Sequence, residues 1–115
     1  GSQLGWVSPE LLMREENKNE QVFLKNLATF RKGQHDIFLG GNFVDEFVPS
    51  GDNPVVDIPN YQKTNVVMGA QWTSVKGKTV YVLVNMSTED RLVSLPNGRQ
   101  VEVKALNALR INEKR

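Results

Sequence analysis

Apolar and polar positions along the chain change period once, near Gly33. Before it, Phe23, Leu24, Leu27, Ala28 and Phe30 recur at helical spacing, with Arg31 and Lys32 suited to the negative end of a helix dipole and Gly33 as the stop. The spacing predicts one amphipathic helix over 18–32. Asn17 and Glu20 form a capping-box pair ahead of it. A shorter helix is signalled further upstream by Ser8-Pro9-Glu10 before Leu11, Leu12 and Met13.

After Gly33 the pattern is that of strands. β-rich runs are expected at 36–39, 42–48, 55–58, 65–73, 78–86, 91–95, 100–106 and 108–111, separated by turn chemistry at Gly40-Gly41-Asn42, at 49–54, at Lys76-Gly77-Lys78 and at Pro96-Asn97-Gly98. Asn97-Gly98 between Leu95 and Val101 is a hairpin signal. Val80, Val82, Val84 and Met86 share one face of a strand and Tyr81 and Leu83 the other, so this strand is expected to be central and covered on both sides. Short, evenly spaced strands with no helices between them predict a mainly β fold, an antiparallel β-sandwich of about eight strands with Greek-key-like connections, preceded by one or two N-terminal helices. The expected division is a helical segment at 1–33 and a sandwich at 34–115, with Gly1-Ser2 read as a tag scar.

Composition narrows the partners. At 115 residues the chain has one domain's worth of core, and its 39% apolar and 23% charged content is that of a globular protein. Fourteen basic against thirteen acidic residues, a net charge of +1, leave no electrostatic footprint for nucleic acid or an anionic membrane. No run approaches the roughly 20 apolar residues of a membrane span. The chain has no cysteine, which removes disulfides and thiolate chemistry without fixing a compartment.

Candidate chemistry is sparse. His35, the only histidine, follows the helix stop in a polar turn and is expected to be solvated; alone it cannot build a multi-histidine metal site. Asp45-Glu46, Asp57 and Glu89-Asp90 offer carboxylate pairs of the kind a glycosidase uses, but adjacent acids on a strand point to opposite faces, and Glu89-Asp90 fall in an expected turn. Gly40-Gly41-Asn42 and Met68-Gly69-Ala70 lack phosphate-loop spacing and read as turn and bulge glycines. Asn85-Met86-Ser87 matches a glycosylation sequon at a strand end. No cofactor is expected. Trp72, Trp6 and Tyr61 are candidate contacts to carbohydrate or to a neighbouring domain; Trp72 shares strand parity with Val66, Met68 and Ala70, which favours a core or interface position.

The order of elements resembles that of multidomain glycoside hydrolases built on an α-amylase-like or clan D α-galactosidase-like (β/α)8 barrel, in which the last barrel helix leads into a C-terminal antiparallel β-sandwich. Residues 5–12 (GWVSPELL) look like the loop and short helix after the final barrel strand, and residues 23–32 (FLKNLATFRK) look like the final helix. Residues 36–41 (DIFLGG) resemble the segment that follows, and 68–73 (MGAQWT) with 78–87 (KTVYVLVNMS) resemble the strand pair at the sandwich centre. The resemblance covers nearly the whole chain. It implies a non-catalytic accessory domain whose partner is the catalytic barrel of the same polypeptide, in a bacterial parent; the N-terminus leaves export of that parent open. In such enzymes the catalytic acids sit on barrel strands, none of which is present, so no catalytic residue carries over. The alternative is a carbohydrate-binding module using exposed aromatics. The helix has more apolar surface than one sandwich edge needs, so its exposed face is a further candidate surface for a barrel or for oligomerisation.

Overall fold

The computed structural model describes residues 18–56 and 63–113. The upstream helix signal, Asn17, Asp57, Trp6 and Tyr61 lie outside the described residues. Helix α1 spans Lys18–Lys32, and its last turn closes through Gly33 N–H to Phe30 O and Gln34 N–H to Arg31 O, both at 3.1 Å. These tight, three-residue bonds satisfy carbonyls that the end of the helix leaves open.

A second helix, the single turn α2 (His35–Phe38), stands where the sequence predicts a strand. The consecutive apolar residues Ile37, Phe38 and Leu39 fit either element by periodicity. Tertiary packing decides: Ile37 is driven into the core, and Gly41 lets α2 run against the next strand pair, since a Cβ there would lie 2.5 Å from Thr73 O and 2.7 Å from Ile37 Cα.

Nine strands follow among the described residues: β1 Asn42–Phe47, β2 Ser50–Gly51, β3 Val55–Val56, β4 Thr64–Asn65, β5 Val67–Thr73, β6 Thr79–Asn85, β7 Arg91–Ser94, β8 Gln100–Val103 and β9 Asn107–Asn112. All pairings are antiparallel. A four-stranded sheet runs β1-β5-β6-β9, a three-stranded sheet β2-β7-β8, and β3-β4 form a short ribbon. The Asn97-Gly98 hairpin joins β7 to β8, with Gly98 at φ +89°, a left-handed conformation that glycine adopts without strain.

The four-stranded sheet is covered on both faces. Toward α1, Val80, Val82 and Val84 of β6 and Ala70 and Trp72 of β5 pack with Phe23, Leu27 and Ile37. Toward the three-stranded sheet, Tyr81 and Leu83 pack with Val93, Leu95, Val101 and Val103. Every residue from Val80 to Asn85 is buried, as the sequence predicts for a central strand. Full burial of each such side chain contributes about 1.5–3 kcal/mol.

Three expectations change. The long strand over 65–73 is broken at Val66, where a bend reverses the alternation, so Val66 joins the inter-sheet core instead of sharing a face with Trp72. Gly69 marks no bulge: it pairs regularly with Leu83, and the irregularity lies on β1, between Phe43 and Asp45. The apolar face of α1 is not free, because Phe23 and Leu27 are buried on the sheet and Leu24 and Phe30 are partly so. The surplus attributed to the helix is the area the second face of the sheet consumes.

Gly69 serves as a seat for Phe47, whose ring atoms would lie 2.5–2.9 Å from an added Cβ. Replacing a strand glycine by alanine ordinarily gains about 0.5–1 kcal/mol. Here the overlap with an aromatic ring that is itself packed edge-on against Tyr81 dominates. Gly69→Ala is expected to destabilise the protein by about 1–3 kcal/mol, read as a lower urea midpoint with an unchanged slope, and a midpoint at or above wild type would refute this role for Gly69.

Candidate functional site

Among the described residues, those singled out from the sequence do not converge. Asp45 and Glu46 lie on the exposed edge strand β1, where the Asp45 carboxylate accepts a hydrogen bond from the Glu46 N–H at 2.8 Å. Glu89 and Asp90 are exposed in the β6–β7 turn, and Asp90 accepts from Ala105 N–H at 2.8 Å and from Lys104 at 3.4 Å. His35 is exposed, on α2 and not in a loop. Among the described residues no three His, Asp or Glu side chains gather in a metal-binding arrangement. No described helix is long and apolar enough to cross a membrane.

Trp72 lies in the core, 7% exposed, beside Met68 and Ala70 as its strand parity predicts. Phe38 and Phe43 pack edge-on against its ring with centroids 5.0 and 5.5 Å away. Its indole Nε1–H is buried and has no acceptor among the described residues. Such unpaired donors are rare and cost about 1–3 kcal/mol. Around this ring the surface is apolar: Phe43 is 49% exposed and Leu39, which follows Phe38, is 78% exposed.

The sequon-like Asn85 is fully buried and fully bonded. Its Nδ2 donates to Glu89 O at 2.8 Å and Val103 O at 2.9 Å, and its Oδ1 accepts from Ser87 N–H at 2.9 Å and Ser87 Oγ at 2.7 Å. One amide thus closes the β6–β7 turn and ties the two sheets together. An Asn at the end of an apolar run looks like the start of a turn, so its structural role is not apparent from spacing.

A second polar anchor joins distant segments. Arg110 on β9 makes a two-pronged ion pair with Asp36, both bonds at 2.7 Å, and donates to Gln34 at 2.9 Å. The pair borders an open cleft of about 730 Å³ that Lys76, Lys78 and Glu113 also line. The hydrogen bond from Arg110 is the main cause holding the Asp36 carboxyl below its ordinary 3.8, against the opposing effect of burial. Burial, reinforced by the hydrogen bond to Glu113, pushes the Tyr81 hydroxyl up. The arrangement orders α2 against β9; its acid is committed to a guanidinium.

The site and fold therefore define a small antiparallel β module with a helix packed on its outer sheet. No family model matches the chain, and no solved structure matches it. A protein of Bacteroides thetaiotaomicron named "Putative glycoside hydrolase" is 58% identical to it over 113 residues. That match takes in 98% of this chain and 17% of the relative, so the chain spans under one fifth of the length of the curated relative it matches.

Two outcomes follow from the polar anchors. Asn85→Leu keeps the heavy-atom count and branching but strands four partners, and is expected to lower stability by about 3 kcal/mol, measured by urea unfolding; a loss no larger than a surface change would show the network to be dispensable. A carboxyl held low in the folded state stabilises above its unfolded value and loses that contribution as pH falls through the folded one. Asp36→Asn should therefore narrow the fall in urea midpoint between about pH 5 and pH 2, the Asp90 contribution remaining; an identical fall in variant and wild type would remove Asp36 from the acid response.

Proposed function

We propose that this chain is a non-catalytic accessory domain of a glycoside hydrolase, packing on and stabilising the catalytic domain of the same polypeptide. The observation that carries the reading is the match to a glycoside hydrolase-named protein about six times as long, over nearly all of this chain. Its finer form follows the family resemblance: a C-terminal sandwich at 34–115 after the last helix of a (β/α)8 barrel, with α1 as the joining element. The packing supports that role for α1, because a helix whose inner face is buried on the sheet transmits the position of one domain to the other. Three of the described acids support it as well: Asp36 is engaged with Arg110, Asp52 with Arg91, and Asp90 with Lys104 and the Ala105 N–H.

A carbohydrate-binding module would need an exposed ring. Trp72 offers none in this packing, so of the three rings singled out from the sequence that reading keeps Trp6 and Tyr61.

The 115-residue chain is expected to release no sugar from aryl glycosides or polysaccharides, whereas deletion of 34–115 from the longer polypeptide should lower the thermal midpoint of the catalytic domain. Glycoside hydrolysis by the short chain, or a catalytic domain whose midpoint ignores the deletion, would sink the proposal.

A further inference from the structure

We infer that the catalytic domain docks on the β1 edge of the four-stranded sheet, over an apolar surface formed by Leu39, Phe43, Val44 and Val75. This inference rests on the accessory-domain reading and specifies its interface.

The two edges of that sheet differ. β9 lies against α1, and Asn26 of the helix donates to Leu106 O at 2.6 Å just before β9 begins. β1 has less cover: the single turn α2 reaches it, yet five of its six residues are exposed, and one side of its main chain is unpaired in the sheet order. Bare edges invite pairing with other chains, and proteins blunt them with charge, bulges or a covering element. This edge has a bulge at Phe43–Asp45 and two acids, yet it keeps Phe43 and Val44 about half exposed.

The apolar surface continues past the strand. Leu39 is 78% and Val75 58% exposed, and Gly40 lies against Val75, where an added Cβ would meet Val75 Cγ1 at 2.5 Å. Phe38 and Phe43 both pack on Trp72, whose Nε1–H lacks an acceptor among the described residues. Phe43 pairs with Trp72 across the strands and so shares the face of the sheet that carries α1. A domain joined through α1 would arrive on that side.

Charge selects between occupants. A second copy pairing edge to edge would bring two Asp45-Glu46 pairs within a few residues of each other, and like charges directly across strands are destabilising. The remainder of a longer polypeptide carries no such constraint and is available in length, since 83% of the relative lies outside the match (100 − 17). The complementary surface is apolar with a basic rim facing Asp45 and Glu46.

Hydrogen exchange of this chain alone and within the longer polypeptide tests the assignment. The amides of 43–47 are expected to exchange about tenfold slower or more in the longer polypeptide, and Val44→Lys or Leu39→Lys, both at exposed positions, should abolish the slowing while Leu92→Lys on the opposite sheet leaves it intact. Slowing confined to β7 and β8 would overturn the edge assignment and leave the accessory role standing. Slowing nowhere would overturn both. Slowing in the isolated chain that grows with its concentration would assign the edge to a second copy and overturn the inference.

Discussion

Everything in this fold is arranged around a strand that must be dry on both sides. β6 presents valines to one face and Tyr81 and Leu83 to the other, so a two-layer sandwich alone would leave Val80, Val82 and Val84 in water. The helix is the third layer that the alternation demands. Its burial of Phe23 and Leu27 and the burial of Ile37 by α2 complete one core, while the three-stranded sheet completes the other. The two cores are separated by a single thickness of backbone, and substitutions on β6 at odd and even positions therefore act on different layers of the molecule.

Polar side chains then fix what hydrophobic burial leaves undirected. Burial is indifferent to small slides of one layer over another, whereas Asn85 requires Val103 at one place and Arg110 requires Asp36 at another. The first sets the sheet-to-sheet register and the second sets α2 against β9. Both are long-range in sequence; Asn85 lies at the end of β6, where its alternating core has run out, whereas Arg110 sits within β9 opposite Val82.

Local patterns revealed the elements whose causes are local. Helical spacing from Phe23 to Phe30, the double-sided run at 80–84 and the Asn97-Gly98 turn each contain their own explanation, and the structure has α1, β6 and the β7–β8 hairpin there. The misreadings share a different property. Ile37-Phe38-Leu39 is equally apolar as helix or strand, and only packing selects the helix; β2 hides in a run of turn residues because its strand character comes from pairing with β7. Gly69 reads as a bulge glycine from spacing alone, whereas its reason is Phe47, which sits on it from the neighbouring strand. The site was less legible still, since Arg110 meets an acid 74 residues away and the exposed edge of β1 is a property of sheet order, which spacing does not encode. Trp72 was the exception, because strand parity with Met68 and Ala70 is a local signal for a buried ring.

The break in the strand at Val66 is spanned by a side chain. Asn53 accepts from Val67 N–H at 2.8 Å and donates to Val67 O at 2.9 Å, so its amide takes the part of a neighbouring peptide group, and it also donates to Pro49 O. Conversion of this asparagine to aspartate would turn an acceptor toward two carbonyls. That ageing reaction proceeds when the asparagine side chain is attacked by the backbone nitrogen of the next residue. Here the next residue is Pro54, whose ring nitrogen carries no hydrogen. The amide that stands in for a strand is thus chemically durable by virtue of the residue after it, and the join between the 49–54 loop and β5 is shielded from the slow covalent damage to which Asn97-Gly98, in its open turn, is exposed.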